Sequence, residues 1–177
     1  VDSVTDVLGQ DIIFIAVPTP YDAKIDLSAM DDAMATAAQA PAGKIVVIKS
    51  TVVPGTTEAY QKRYPHLRIL FNPEFLTEST ADQDFAYPDR QIVGFTPASH
   101  GVAGEVMDLL PTAPYTKFVP ATAAETIKYF GNNWFAVKVA YANQMYDLCQ
   151  KLGLDYEVIR DSVAADKRIG SSHLDVM

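Results

Sequence analysis

From residue 11 to residue 94 the chain repeats one pattern, a short apolar run, a polar tip and a helix-forming stretch, and this alternation restricts the fold more than any other feature. Asp11 to Val17 (DIIFIAV) is apolar after its first residue, rich in β-branched side chains, and stopped by Pro18-Thr19-Pro20. A strand apolar on both faces belongs in a parallel sheet covered by helices. Asp26 to Ala40 follows, rich in Ala and Met and acidic early, where a helix N-terminus favours negative charge. Lys44 to Lys49 (KIVVIK) is a second strand tipped by Ser50-Thr51, with a helix running to about Arg63. Arg68–Phe71 and Gln91–Gly94 are further strands, the first leading into Asn72-Pro73-Glu74 and the second preceding a helix from about Ala98 to Leu110. The order predicts an α/β fold with a parallel sheet.

Beyond Ala121 no strand-like run appears. Ala121–Leu152 reads as one long helix, with Thr122 as N-cap and Gly153 as C-cap, and a shorter helix follows over about Asp155 to Ala164. Apolar residues from Ile127 to Leu148 populate most of the long helix's circumference, so it must be buried on several sides. A second copy of the chain would cover it most simply, and a homodimer is expected. The boundary falls near Pro120, dividing 1–120 from 121–177.

A net charge of -8 and a pI near 4.7 argue against a broad surface for nucleic acid or an anionic membrane. No apolar run approaches the roughly 20 residues that span a bilayer. Val1-Asp2-Ser3-Val4 does not read as an export signal, and the single cysteine, Cys149, fits a reducing compartment, so a cytoplasmic location is expected.

Ligands in open parallel sheets sit at the carboxyl ends of the strands, and the polar clusters occupy those positions. Pro18-Thr19-Pro20, Ser50-Thr51 and Asn72-Pro73-Glu74 could together form one rim; each could also be ordinary turn chemistry. Glu74 and Glu78 are four apart and share a face if the segment is helical or turn-like, suited to water activation or substrate orientation; a solvated pair is the alternative. Lys128 and Asn132, also four apart on an aromatic-rich helix, would stabilise a developing oxyanion, unless the lysine snorkels at the helix edge. Asn133 reads as a cap or surface residue. Arg168, before Gly170, suits a phosphate or sugar hydroxyl, or is a surface basic turn. Cys149 reads as a packed thiol, and His66, His100 and His173 lack the spacing of metal ligands, so no metal is assigned.

In order and approximate spacing, VPTP (Val17–Pro20), KSTVVPGTT (Lys49–Thr57), NPEFLTES (Asn72–Ser79), PDR (Pro88–Arg90), AAETIKYFGNN (Ala123–Asn133) and DKRIG (Asp166–Gly170) resemble the UDP-glucose/GDP-mannose dehydrogenase family over nearly the whole chain. The resemblance implies a partial Rossmann-like parallel sheet, the C-terminal part of an NAD-binding domain, followed by a long central helix and a small all-helical segment. It implies NAD as cofactor and oxidation of a sugar C6 alcohol to a carboxylate in two hydride transfers, through a cysteine-bound intermediate. Thr51 and Glu78 would lie near the nicotinamide and the reacting carbon, with Glu78 or its water assisting thioester hydrolysis and Glu74 supporting the site. Val17, Thr19 and Ser50 would line the cofactor cleft, Phe75 and Leu76 would meet the nucleotide sugar, and Lys128 and Asn132 the C6 oxygen. Arg168 would reach a neighbouring subunit's substrate.

The family's GxGxxG turn and its GGxCxxKD cysteine loop are not in the sequence, so the resemblance implies a chain cut short at both ends and unable to complete the oxidation. The sequence leans to UDP-glucose, with GDP-mannose as the alternative. β-Hydroxyacid dehydrogenases also pair a lysine and an asparagine four apart on a long helix but lack NPEFL; a non-catalytic dimerisation or nucleotide-sugar-binding module is a further alternative.

Overall fold

The structure, a computed structural model, describes residues 4–176, with side chains for all of these but Thr5 and Glu78. The chain divides into two compact units, Val1–Lys128 and Tyr129–Met177.

After helix α1 (Val4–Leu8), the first unit builds a five-stranded sheet from β1 (Ile12–Ile15), β4 (Ile45–Ile48), β5 (Arg68–Phe71), β6 (Arg90–Phe95) and β7 (Tyr115–Pro120), in that order. A small antiparallel ribbon, β2 (Tyr21–Asp22) with β3 (Lys24–Ile25), precedes α2 (Ser28–Ala37). The other helices are α3 (Thr56–Arg63), α4 (Ala81–Ala86) and α5 (Ala103–Leu109). In β4, Val46 and Ile48 face the cluster that holds Met30 and Met34 of α2, Tyr60 of α3 and Ala124; Ile45 and Val47 face the cluster that holds Ala103 and Val106 of α5. Helices thus cover both faces, as the fully apolar strand requires.

The sheet is mixed where an all-parallel one is expected. β1, β4 and β5 run parallel, β6 pairs antiparallel with β5, pairing Phe71 with Gly94, and β7 runs parallel to β6. Residues 72–89, between β5 and β6, form one 3-10 turn and the short α4 but no helix long enough to carry the chain back across the sheet, so β6 enters from the edge that β5 leaves. β7 carries a strand where the sequence shows no apolar run, being an exposed edge.

α6 spans Ala121–Leu152 and α7 spans Tyr156–Ala164. Thr122 lies inside the first turn of α6, not at its cap, because the helix begins directly from β7. Gly153 does end it: at φ +68, its N–H bonds Gln150 O and the N–H of Leu154 bonds Cys149 O, the paired bonds of a Schellman stop. Asp155 caps α7 through the N–H of Glu157. In the second unit, Cys149 and Tyr156 are buried and the Tyr156 hydroxyl donates to Leu174 O, while much of α6 from Phe130 onward is exposed. Within the second unit, the described residues therefore leave much of this helix's apolar surface open.

Candidate functional site

Three parallel strands deliver their carboxyl ends to one edge of the first unit, and the segments leaving them are stitched together. Ser50 Oγ accepts from Val17 N at 2.9 Å and donates to Val17 O at 2.7 Å, and Thr19 Oγ1 donates to Thr51 O at 2.8 Å. These hydroxyls join the exits of β1 and β4. Val17, Thr19, Ser50 and Thr51 are thus brought together, with Ser50 both accepting from and donating to Val17. Its hydroxyl shapes the rim. The half-buried Thr51 side chain lies beside it.

Asn72, fully buried after β5, donates to Ile92 O at 2.9 Å, which aims its carbonyl oxygen at Lys49 Nζ, 2.5 Å away. Burial pulls the Lys49 ammonium below its ordinary pKa, and the negative charge of Glu74 opposes that pull. Beyond Asn72 the segment is irregular, neither helix nor strand, as far as Thr77. The Glu74 carboxylate accepts from Leu76 N, and Glu74 O accepts from Lys128 Nζ, which also stands 3.6 Å from Glu74 Oε2. The Phe75 ring receives the Arg90 guanidinium at 3.9 Å and lies 5.9 Å from Lys128 Nζ. Lys128 is thus a buried cation held by a carbonyl and a carboxylate, not a snorkelling edge residue; its side chain is 10% exposed.

Residues 72–77 are not helical, so Glu74 and Glu78 do not acquire a shared helical face. Glu78 opens a single 3-10 turn, Glu78–Thr80, and its side chain lies outside the described residues. Asn132 belongs to the second unit and is exposed, as is Asn133. Arg168, 89% exposed, is engaged by Asp166: Nη2 donates to Oδ2 at 2.6 Å and Nε to Oδ1 at 3.1 Å. Cys149 is a free, buried thiol, in keeping with a packing role. Among the described residues no group of His, Cys, Asp and Glu is arranged to hold a metal ion, and no helix is long and apolar enough to cross a membrane.

Lys49, Arg90 and Glu125 were not singled out as chemical groups by the sequence. The first two sit in KSTV and PDR, where only the packing of strand tips shows what they face. Glu125 is fully buried, accepting from Gly55 N, Thr57 N and Thr57 Oγ1.

The rim lies where open α/β sheets hold their ligands, at the carboxyl ends of parallel strands. Residues 2–109 match the NAD binding domain of the UDP-glucose/GDP-mannose dehydrogenase family, and residues 122–176 match its central domain. The chain is 37% identical to the UDP-glucose 6-dehydrogenase AglM of Haloferax volcanii over 96% of its length, and 35% identical to the UDP-glucose 6-dehydrogenase of Rhizobium meliloti over 98%. It covers 44% and 43% of those relatives, less than half of each. Among solved structures, a UDP-glucose dehydrogenase of Pyrobaculum islandicum superposes with a TM-score of 0.87 at 31% identity, covering 99% of this chain and 44% of that one. A GDP-mannose dehydrogenase of Pseudomonas aeruginosa gives 0.80 at 28% identity, with 93% and 41% covered. With the two domain matches together spanning nearly the whole chain and relatives more than 30% identical along it, this chain belongs to the UDP-glucose/GDP-mannose dehydrogenase family.

Proposed function

We propose that the chain is part of an NAD-dependent nucleotide-sugar 6-dehydrogenase that oxidises UDP-glucose to UDP-glucuronate. The observation that carries this reading is the Lys128 ammonium, buried at the strand tips against Glu74 and Phe75. An ammonium has three donors, and Glu74 O takes one, so others remain for an anionic oxygen. In a site shielded from water, such a donor stabilises negative charge as it develops on the sugar's C6 oxygen. Asn132, one helical turn further along α6, adds an amide donor in this proposal. Val17, Thr19, Ser50 and Thr51 would hold the nicotinamide end of NAD, which supplies the hydride acceptor when bound. Phe75 and Leu76 would meet the nucleotide sugar, and Glu78 or a water it holds would act in hydrolysis of the intermediate. Arg168 would have to exchange its Asp166 partner for a neighbouring subunit's substrate.

Titration calorimetry of the 177-residue chain with UDP-glucose, GDP-mannose and NAD, each alone, tests the proposal. UDP-glucose binding that Lys128→Met weakens by about tenfold or more, as for loss of a hydrogen bond to a charged group, supports it. Tighter binding of GDP-mannose would move the substrate to the other branch, sugar binding with no NAD binding would favour a module, and no sugar binding would sink the reading.

A further inference from the structure

None of the roles above uses Glu125, although its burial is complete and its partners are specific. Gly55 N donates to Oε2 at 2.5 Å, while Thr57 N and Thr57 Oγ1 donate to Oε1 at 2.8 and 2.6 Å. These donors form the start of α3, whose N-cap, Gly55 at φ +98, has no side chain with which to satisfy them. A carboxylate from a different helix does so instead, where the unpaired N–H groups and the helix dipole favour negative charge. The connection joins two parts of the proposed site. The turn that Glu125 grips leaves from Thr51, and Lys128 stands three residues after Glu125, hence beside it on α6. Gly94 lies under the same turns: a Cβ there would stand 2.7 Å from Ala124 Cβ and 3.0 Å from Ala121 Cα. Contact with β6 sets how closely α6 approaches the sheet, and contact with α3 sets its rotation and its position along its own axis.

We propose that Glu125 is a positioning residue that fixes α6 against the Thr51 strand tip and thereby holds the Lys128 ammonium at the Glu74 carbonyl. The proposal rests on the reading of Lys128 as the cation of the site, and it is read out without substrate or turnover. The probe is the Lys128 Cε–Hε resonance in the ¹³C-lysine-labelled chain, assigned with Lys128→Arg. Glu125→Gln leaves one acceptor oxygen for three donors and sets an NH2 against Gly55 N–H, so the resonance shifts toward that of a solvated lysine. Thr57→Val removes one of the three donors from the opposite helix and produces a smaller shift in the same direction. Thr96→Val, which breaks a buried 3.0 Å bond to Gln61 in the same unit, controls for lost stability and leaves Lys128 where it is. An unmoved Lys128 resonance in folded Glu125→Gln, or an equal shift in Thr96→Val, overturns the proposal. Should Glu125→Gln fail to fold, Thr57→Val against Thr96→Val decides by the same criterion. Failure of UDP-glucose to bind the wild-type chain would sink the nucleotide-sugar reading and leave this measurement intact.

Discussion

Lys49 and Glu125 both carry charge out of water, and the pH dependence of stability should show them at opposite ends. Burial raises the Glu125 carboxyl above its ordinary value, against the pull of the Thr57 and Gly55 donors. Between the unfolded and folded pKa values the native state therefore holds more protons, so this group's contribution to stability falls as pH rises through that window. Glu125→Gln should flatten that slope in urea midpoints measured across the mildly acidic range. Lys49 is lowered by burial, so in the alkaline window the unfolded state holds more protons and stability gains with rising pH; Lys49→Met should remove that gain. Neither residue was legible in the sequence. Glu125 reads as an ordinary acid in a helix's opening turns, because its partners lie some seventy positions away. Lys128 was legible, since a lysine among aromatics needs a partner, although the sequence could not show that the partner is the main chain of Glu74.

At the scale of elements, three glycines separate three physical roles. Gly94→Ala forces a Cβ into Ala124 and the backbone of Ala121, and overpacking of this kind should cost about 1–3 kcal/mol by urea denaturation. Gly153→Ala meets nothing, yet at φ +68 it should cost about 1–2 kcal/mol by losing the left-handed helix stop. Gly131, inside α6 with open space around its Cβ, should on replacement by Ala stabilise the chain by about 1 kcal/mol. The burial of β4 on both faces and the Gly153 stop could be read from the sequence because burial and backbone conformation leave marks in residue type; β1, expected to be buried likewise, leaves Phe14 41% exposed, because α5 on that face packs over β4, β5 and β6. β7 left no such mark: Tyr115–Pro120 is an exposed edge carrying Thr116, Lys117 and a proline. The reversal of β6 was equally hidden, since apolar content records that a strand is buried and says nothing of its direction.

For the molecule as a whole, the uncovered surface of α6 has its own expected outcome. Phe130, Trp134, Val137, Tyr141 and Leu148 are exposed and recur at alternating steps of three and four, with a seven-residue step last, so they form one stripe along the helix in the second unit. We infer that a second copy covers this stripe, in keeping with the homodimer the sequence led us to expect. Sedimentation should then give a dimer for the wild-type chain, and Val137→Glu should shift it to monomer with the helical signal retained; a wild-type monomer at high concentration would count against the inference.

The antiparallel entry of β6 leaves residues 72–89 fastened at both ends to the same edge of the sheet: Asn72 at one end, and Arg90 stacked on Phe75 at the other. Such a span behaves as a handle closed on itself, so a molecule lodged against Phe75 would brace both roots together. Cleavage by a protease near the exposed Phe85 and Tyr87 should therefore slow when UDP-glucose is added, although neither residue need touch it.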